Sequence, residues 1–365
     1  MPKLLVTGGA GFIGANFVRY WRQRYPRDVI TVLDALTYAG NVASLHGIPD
    51  VSFIRGDIRD YELTCKLLRD SSIDTLVNFA AETHVDRSIH GPDAFIDTNV
   101  LGTHALLKAA KNVWLDQGAG APHRFHHVST DEVFGSLGPN DPAFTEETPY
   151  SPNSPYSASK AASDHLVRAY HHTFGLQVTT SNCSNNYGPY QFPEKLIPLF
   201  IINALHGKPL PIYGDGQNVR DWLHVEDHCR GIEATLLKGR IGETYNIGGG
   251  AELPNLTVIE RICEVVDRVL QQNPALAKAF PEAPAANGKS TESLKAFVTD
   301  RKGHDRRYAI DETKSRRELG YSPQNDFSVG LEQTVKWYLE NETWWRAVMD
   351  GSYRKWIEAN YAQNR

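Results

Sequence analysis

A tyrosine and a lysine stand four residues apart in the segment 156–160 (YSASK). At that spacing on a helix, the side chains of Tyr156 and Lys160 lie on one face and can reach a common ligand. A nearby ammonium stabilises a phenolate and so lowers a pKa that is about 10 when it is unperturbed. We therefore predict that Tyr156 acts as a base near neutral pH, with Lys160 as its cationic partner.

A hydroxyl group and two carboxyl groups follow one another at Thr130, Asp131 and Glu132, directly after a β-rich segment. On an arbitrary loop such a run would be a solvated acidic turn. Opposite a catalytic tyrosine, two adjacent carboxyl groups can differ in protonation, because like charge and partial burial separate their pKa values. One carboxyl group could then accept a proton while the other donates one. The residues alone leave open which does which.

Glycines at positions 8, 11 and 14 follow the first predicted strand and open the first predicted helix. In that context, backbone amides and the helix dipole can approach a pyrophosphate that a side chain would block. Asp34 ends the second predicted strand about 20 residues later, where its carboxylate can accept hydrogen bonds from ribose hydroxyls and repel a 2′-phosphate. The pattern predicts a site for NAD rather than NADP.

Apolar, β-rich runs alternate with longer helical patterns through the first half of the chain. This alternation predicts an α/β fold with a doubly wound parallel (Rossmann) sheet and a smaller mixed α/β substrate-binding domain. The predicted strands are 3–6, 29–33, 51–55, 75–79, 124–129 and 177–182. The predicted helices are 13–24, 60–70, 94–117, 156–174 and, near the end, 327–341.

A chain of 365 residues exceeds one ordinary hydrophobic core, so we expect two units with a cleft between them. The predicted NAD-binding domain comprises 1–182 plus about 219–248, and the predicted substrate-binding domain comprises 183–218 and about 249–365. Segments 185–198 and 209–217 are rich in Pro, Gly, Asn and Tyr, which favours binding loops. Segment 283–289 is predicted to be a surface loop.

The composition argues against several classes of function. A net charge of −5 disfavours a nucleic-acid binder, which needs clustered Lys and Arg. The first residues leave no room for a signal peptide, and no apolar run approaches the roughly 20 residues of a membrane span, so we expect a cytoplasmic protein without a membrane segment. The four cysteines lack a CxxC pair, which predicts buried, reduced thiols and no metal site.

The glycine motif, the strand-end Ser/Thr and the YxxxK pair together resemble the extended short-chain dehydrogenase/reductase family over nearly the whole chain. Segment 80–86 (AAETHVD) resembles that family's loop beneath the cofactor. Segment 129–135 (STDEVFG) is similar to a pattern of the family's NAD-dependent nucleotide-sugar dehydratases. The resemblance implies tightly bound NAD, dTDP-glucose as the substrate, and a homodimer formed by the helices around 94–117 and 156–174.

The same resemblance implies a role for each catalytic residue. Tyr156 would take the proton of the sugar's C4 hydroxyl, and Thr130 would hydrogen-bond to the C4 oxygen. Glu132 would remove the C5 proton, and a protonated Asp131 would donate to the departing C6 hydroxyl. The product would be dTDP-4-keto-6-deoxy-glucose, formed with loss of water.

The binding residues that the resemblance implies fall into two sets. The cofactor set comprises Gly8, Gly11, Phe12, Ile13, Gly14, Asp34, Leu36, Thr37, Asp57, Ile58, Ala80, Ala81, Thr83, Asn99, Tyr156, Lys160 and Asn185. The substrate set comprises Thr83, His84, Thr130, Asp131, Glu132, Asn185, Lys195, Leu196, Pro211, Tyr213, Arg220, Asn255, Arg301 and His304. Segment 300–308 (DRKGHDRRY) departs from the family pattern at Lys302, where proline is usual.

Three other functions stay open at the level of the sequence. A UDP-sugar 4-epimerase would use the same Tyr and Thr but has no need of the two carboxyl groups. A dehydratase of another nucleotide sugar would differ only in its base-binding loops, and thymine differs from uracil by one methyl group, which discriminates weakly. A noncatalytic NAD-binding protein would be expected to lack at least one of Thr130, Tyr156 and Lys160, all of which are present.

Overall fold

The structure, a computed structural model, describes residues 2–118 and 120–349. The strands in this part of the chain are β1 (Lys3–Thr7), β2 (Val29–Asp34), β3 (Val51–Arg55), β4 (Thr75–Asn78), β5 (Arg124–Thr130), β6 (Val178–Cys183), β7 (Asn185–Tyr187), β8 (Leu210–Tyr213), β9 (Val219–His224), β10 (Thr244–Ile247), β11 (Glu252–Pro254) and β12 (Lys295–Val298). The α-helices are α1 (Phe12–Arg24), α2 (Tyr61–Asp70), α3 (Val85–His90), α4 (Asp93–Phe95), α5 (Thr103–Ala110), α6 (Pro155–Phe174), α7 (Leu196–Leu205), α8 (Val225–Lys238), α9 (Asn255–Gln272), α10 (Pro274–Ala279), α11 (Thr313–Leu319), α12 (Phe327–Glu340) and α13 (Glu342–Val348).

Seven of these strands form one parallel sheet in the order β10-β6-β5-β4-β1-β2-β3. The chain moves outward from β1 to β3 on one side, then returns to β4 and continues on the other side. The strand order therefore reverses between β1 and β4, and loops that leave their carboxyl ends diverge to open a crevice. This arrangement confirms the predicted doubly wound α/β fold.

Helices cover both faces of the large sheet, and β1 is apolar on both faces for that reason. Leu4 and Val6 of β1 point into a core shared with α1 and α8, while Leu5 between them points into a core shared with α2, α5 and α6. Side chains alternate across a strand, so a strand covered on both sides is a continuous apolar run. That is the pattern by which the sequence revealed these strands.

A second core lies beyond the large sheet. It is built by α7, α9 and α12, and its fully buried side chains include Ile201, Ile262 and Tyr338. Two small sheets border it, one of β11, β9 and β7 and one of β12 and β8. Together these elements make a mixed α/β unit that faces the crevice of the large sheet.

The second half of the chain agrees only in part with the predicted domain boundaries, helix and loop. The strand β9 pairs with β7 and β11, whereas β10 joins the large sheet, so the boundaries proposed near 219–248 stay a prediction. Residues 350–365 of the predicted second domain lie outside the described residues. The predicted late helix is confirmed as α12. The prediction of a surface loop at 283–289 is wrong in part, because Ala283 and Ala285 are buried against the second core.

The cysteines and the helices can also be compared with the predictions. All four cysteines are buried and unpaired, as predicted. Among the described residues, every helix is too short or too polar to cross a bilayer. The predicted helix 94–117 is a continuous helical run in which π-helical turns at Ile96–Gly102 and Lys111–Gln117 flank α5. The helix α6 ends where Gly175 adopts a left-handed conformation, with φ of 78°.

The start of α6 is fixed by a reciprocal pair of serine hydrogen bonds. Ser154 precedes Pro155, whose fixed φ suits the first helical position. The Ser154 hydroxyl accepts from the backbone N–H of Ser157 at 3.0 Å, and the Ser157 hydroxyl accepts from the backbone N–H of Ser154 at 3.0 Å. This capping box sets the first turn of the helix that carries Tyr156 and Lys160.

We expect Ser154→Ala to lower the free energy of unfolding by about 1 kcal/mol, because the backbone N–H of Ser157 loses its acceptor. Urea unfolding followed by circular dichroism measures the change. Ser52→Ala, on an exposed position of β3, is the matched control and should stay within about 0.5 kcal/mol of the wild type. Equal effects of the two substitutions would contradict the role of the cap.

Candidate active site

A cavity of about 410 Å³ opens along the carboxyl edge of the large sheet. Its floor is formed by residues at or just after the ends of β1, β2, β4, β5 and β6. Its far side is formed by the second unit, through β8, the start of α9 and segment 301–304. The cavity thus lies at the reversal of strand order, where ligands of open α/β sheets bind.

The glycine-rich turn after β1 has no room for side chains. Gly8 adopts a left-handed conformation, with φ of 68°, and a Cβ atom there would lie 2.6 Å from the backbone nitrogen of Ala80. A Cβ atom at Gly14 would lie 2.3 Å from the carbonyl oxygen of Gly8. The turn is therefore packed backbone to backbone, and it points the N-terminus of α1 into the cavity. This cradle fits the pyrophosphate of a dinucleotide.

Asp34 connects this turn to the loop that follows β2. Its Oδ2 accepts from the backbone N–H of Ala10 at 2.9 Å, and its Oδ1 accepts from that of Leu36 at 2.8 Å. Each carboxylate oxygen keeps a further acceptor site for a ribose hydroxyl. Burial raises the pKa of Asp34, and the two backbone hydrogen bonds oppose that rise. A Cβ atom at Gly40 would lie 2.8 Å from Oδ1, so the glycine keeps the space beside Asp34 open.

Most of the predicted cofactor residues line the same cavity. Besides those above, they are Gly11, Phe12, Ile13, Thr37, Asp57, Ile58, Ala80, Ala81, Thr83, Tyr156, Lys160 and Asn185. Leu36 and Asn99 do not line it. Leu36 has a positive φ of 55° and contributes its backbone N–H to Asp34. Asn99 is buried and braces the loop after β4 through hydrogen bonds with the backbone of Glu82 and with the Ser159 hydroxyl.

Tyr156 and Lys160 lie in the first turns of α6, and both line the cavity. The pKa of Tyr156 is raised well above its usual value by burial and by the nearby Glu132 carboxyl group. The lowered pKa predicted from the YxxxK spacing is therefore not found in the protein alone. Lys160 Nζ donates to the carbonyl oxygen of Val128 at 2.8 Å, and burial lowers the pKa of this ammonium group.

The run Thr130, Asp131 and Glu132 begins where β5 ends, as predicted, and continues into a short 3₁₀ turn. Thr130 and Glu132 line the cavity, whereas Asp131 is buried beside it, 1% exposed. Burial and the Glu132 charge raise the pKa of Asp131 well above its usual range. Its Oδ2 has no hydrogen-bond partner in the described part of the chain. A neutral carboxylic acid at this position suits a proton donor.

Glu132 is surrounded by cations that the second unit contributes. Burial raises its pKa, and the charges of Lys195, Arg301 and Arg220 oppose that rise. Lys195 Nζ donates to the carbonyl oxygen of Thr83 at 2.9 Å, while Arg220 donates to the carbonyl oxygen of Asp305 at 2.9 Å. The cavity thus combines an acidic pair on the sheet side with cations on the facing side.

Every predicted substrate residue except Asp131 lines the cavity. Thr130 and Glu132 do so from the end of β5, and the others from the second unit or from the loops after β4 and β6. Those not yet placed are His84, Leu196, Pro211, Tyr213, Asn255 and His304. The His84 pKa is lowered well below its usual value by burial and by Lys195. Nδ1–H of His304 donates to Oδ1 of Asp300 at 2.6 Å, and burial lowers the pKa of His304 to about 4. Both imidazoles are therefore neutral near pH 7.

Two asparagines in the cavity have buried amide oxygens without a hydrogen-bond partner in the described residues. They are Oδ1 of Asn185, at the start of β7, and Oδ1 of Asn255. Asn255 is the first residue of α9. A buried, unpaired polar atom is costly unless a ligand or water satisfies it. These two oxygens are therefore suited to accept hydrogen bonds from a bound ligand.

Three carboxyl groups that line the cavity, Glu82, Asp86 and Glu194, were not assigned from the sequence. Asp86 accepts from the Tyr213 hydroxyl at 3.3 Å and lies 3.4 Å from Nη1 of Arg301. It thereby ties two residues of the second unit to the loop after β4. All three carboxyl groups fall within segments 80–86 and 185–198, which the motifs had singled out without naming these side chains.

Comparison with known proteins agrees with this geometry. The family model for GDP-mannose 4,6 dehydratase matches residues 5–334. The chain belongs to the GDP-mannose 4,6 dehydratase family. The match spans most of the sheet and the second unit, so the cavity between them is part of the shared region. The resemblance to the extended short-chain dehydrogenase/reductases is thereby confirmed.

Three relatives of this member of the GDP-mannose 4,6 dehydratase family show what it is similar to. A dTDP-glucose 4,6-dehydratase of Xanthomonas campestris pv. campestris (strain B100) is 57% identical over 359 residues, which cover 97% of this chain and 98% of the relative. The dTDP-glucose 4,6-dehydratase of Streptomyces venezuelae, solved with NAD and dTDP bound, superposes with a TM-score of 0.83 at 49% identity, covering 95% of this chain and 99% of that one. A UDP-glucose 4-epimerase of Thermotoga maritima, solved with UDP-glucose, gives 0.79 at 25% identity, covering 93% and 99%.

We expect Gly8→Ala to reduce the amount of dinucleotide that copurifies with the protein by at least about tenfold. The added Cβ atom would force the turn after β1 away from Ala80 and out of a left-handed conformation. Absorbance of the nucleotide released by acid denaturation measures its content. Gly91→Ala is the control, because a Cβ atom there meets only the Arg87 carbonyl oxygen, at 3.9 Å. Equal nucleotide content in the two variants would contradict the prediction.

Proposed function

We propose that this protein catalyses the NAD-dependent conversion of dTDP-glucose to dTDP-4-keto-6-deoxy-glucose and water. The observation that carries the proposal is that Thr130, Glu132 and Tyr156 line one dinucleotide-binding cavity, with Asp131 buried directly beside it and its pKa raised well above the usual range. An epimerase has no use for two such carboxyl groups. The 57% identity to a dTDP-glucose 4,6-dehydratase over nearly the full length supports the same substrate and reaction.

The cofactor would be held by the glycine turn, by Asp34 at its ribose and by Tyr156 and Lys160. When bound, NAD supplies the hydride acceptor for C4, the hydride donor for C6, and the positive ring charge that a phenolate needs. Tyr156 accepts the proton of the C4 hydroxyl, which it can do once positive charge offsets the burial that raises its pKa. Thr130 fixes the C4 oxygen with its hydroxyl.

The elimination is carried out by the acidic pair. The C4 ketone acidifies the C5 proton, and Glu132 removes it, because cations from the second unit favour its carboxylate form. Asp131 gives its proton to the departing C6 hydroxyl, so that water leaves. After C6 has been reduced, Glu132 returns a proton to C5. Glu132 ends the cycle unchanged, and Tyr156 has gained one proton while Asp131 has lost one. Return of that proton from the Tyr156 phenol to Asp131 through solvent restores both groups, and the cofactor is regenerated.

The nucleotide would be bound mainly by the second unit. We propose that Arg220 and Arg301 meet the diphosphate through their planar forks of N–H donors. Tyr213 would pack against the base, with His304 and Lys195 beside the diphosphate and sugar. Asn185 and Asn255 offer the unpartnered amide oxygens described above.

We further propose a homodimer and a cytoplasmic location. Ile96 and Leu101, in the helical run around 94–117, and Phe174, at the end of α6, are exposed apolar side chains, which suits a shared helical interface. Sedimentation equilibrium distinguishes a dimer from a monomer. Four buried, unpaired thiols fit a reducing compartment.

The proposed reaction is tested by incubating the purified protein with dTDP-glucose and no added NAD. We expect a product lighter by one water that absorbs in alkali as a 4-keto sugar, with UDP-glucose converted far more slowly. Tyr156→Phe should lower kcat by roughly a hundred- to ten-thousandfold because the base is lost. NAD should still be bound through the glycine turn, Asp34 and Lys160. A product of unchanged mass would indicate an epimerase. No conversion even with added NAD would rule out the assignment.

The roles within the acidic pair are separated by hydrogen exchange at C5 in deuterated water. Asp131→Asn should lower dehydration by roughly a hundredfold or more while deuterium still enters C5 of recovered dTDP-glucose, because the base remains. Glu132→Gln should abolish both exchange and dehydration. Mass spectrometry of the substrate and the product measures the two. Exchange that survives in the Glu132 variant and fails in the Asp131 variant would reverse the assignment.

A further inference from the structure

Lys160 has a buried ammonium group, 4% exposed, that makes no direct hydrogen bond to a carboxylate of residues 2–118 or 120–349. Its Nζ donates to the carbonyl oxygen of Val128 at 2.8 Å and lies 3.5 Å from Nε2 of His127. A buried cation is costly unless a counter-charge balances it. Lys160 therefore needs an anionic group nearby.

Asp164 lies one helical turn after Lys160 on α6 and is also buried. Its Oδ2 accepts from the Ser129 hydroxyl at 2.7 Å and from the Tyr150 hydroxyl at 3.0 Å. Its Oδ1 lies 3.3 Å from Nε2 of His127. The carboxylate is thereby fixed against the end of β5, on the same side of the helix as Lys160.

His127 stands between the two charges, and its neighbours set its tautomer. The Thr7 hydroxyl donates to Oδ1 of Asn78 at 2.6 Å, which orients that amide with its N–H groups toward His127. Asn78 Nδ2 then donates to Nδ1 of His127 at 3.2 Å, so the ring proton lies on Nε2, which faces Asp164. Burial and Lys160 lower the His127 pKa to about 4, so the ring is neutral.

We propose that Asp164 and His127 are positioning residues for Lys160. The carboxylate balances the buried ammonium, and the neutral imidazole between them directs its Nε2–H toward Asp164, while the Val128 carbonyl oxygen holds the ammonium at the end of β5. This inference rests on the proposed function only for the role of Lys160 in catalysis. The placement itself stands on the hydrogen bonds of residues 78, 127, 129, 150 and 164.

Among the described residues, the titratable groups that interact with Lys160 are His127 of β5, Cys183 of β6 and Asp164 of α6. Tyr156 lies one helical turn before Lys160 on α6. Of these groups, Asp164 is the one that supplies a counter-charge. The ring is neutral, and burial keeps the Cys183 thiol and the Tyr156 phenol protonated by raising their pKa values. Asp164 opposes the effect of burial on the Lys160 pKa. Without that carboxylate, Lys160 would release its proton at a lower pH.

The first experiment compares Asp164→Asn with Tyr150→Phe, each as the holoenzyme. The second substitution removes a hydrogen bond to Asp164 but keeps its charge. The measured quantity is the pH dependence of C5 deuterium exchange in dTDP-6-deoxy-glucose. This sugar has no C6 hydroxyl, so Asp131 has no leaving group to protonate and does not shape the profile.

In Asp164→Asn, we expect the loss of exchange at alkaline pH to begin about one pH unit or more below that of the wild type. The sign follows because a weaker counter-charge lowers the Lys160 pKa, and the neutral amine no longer supports the Tyr156 phenolate. Tyr150→Phe should leave the profile within a few tenths of a unit. An unshifted profile in Asp164→Asn, or an equal shift in both variants, would overturn the proposal.

The second experiment needs no turnover and so separates this proposal from the proposed function. Urea unfolding of Asp164→Asn, Lys160→Met and the double variant forms a double-mutant cycle. If the two substitutions acted independently, their effects on the unfolding constant would multiply in the double variant. We expect the double variant's constant to be at least about threefold smaller than that product, because each single variant leaves an uncompensated buried charge. Independent effects would contradict the pairing. If the wild type failed to dehydrate dTDP-glucose, the proposed function would be wrong. The double-mutant cycle would still show whether Asp164 and Lys160 interact.

Discussion

The contact between the backbone after β1 and the backbone after β4 is the constraint on which the rest of the site depends. Gly8 and Ala80 approach so closely that a single methyl group cannot be placed between them. This approach occurs at the reversal of strand order, and it sets the floor of the cavity. This contact sets the position of the N-terminus of α1, of the Asp34 carboxylate and of the loop that carries His84.

From that floor, charge is distributed between the two units. The large sheet contributes the acidic pair at the end of β5, and the second unit faces it with Lys195, Arg220 and Arg301. Burial raises the pKa values of Asp131 and Glu132, while the facing cations act on Glu132 and favour its carboxylate form. Two adjacent carboxyl groups thus acquire different surroundings without any difference in chemical type. The same principle operates beneath Lys160, where Asp164 and a neutral His127 surround a cation.

Some features could be predicted from the sequence because they depend on neighbours along the chain. The capped start of α6 follows from Ser154 and Pro155, and its end follows from Gly175. The strands of the large sheet follow from their apolar runs. Other features could not be read in this way. The π-helical turns that flank α5 share the apolar spacing of an ordinary helix, and Ala283 and Ala285 are buried by a core formed from distant segments.

The sequence by itself determined the fold class, the glycine cradle and the identity of the reacting groups, because local spacing specifies each of them. Only the tertiary structure decided how those groups are protonated and balanced. Folding buries Asp131 beside the cavity. It raises the pKa of Tyr156 through burial and through the Glu132 carboxyl group, and it brings Asp164 next to His127 under Lys160. Such effects depend on distances through space, which spacing along the chain does not encode.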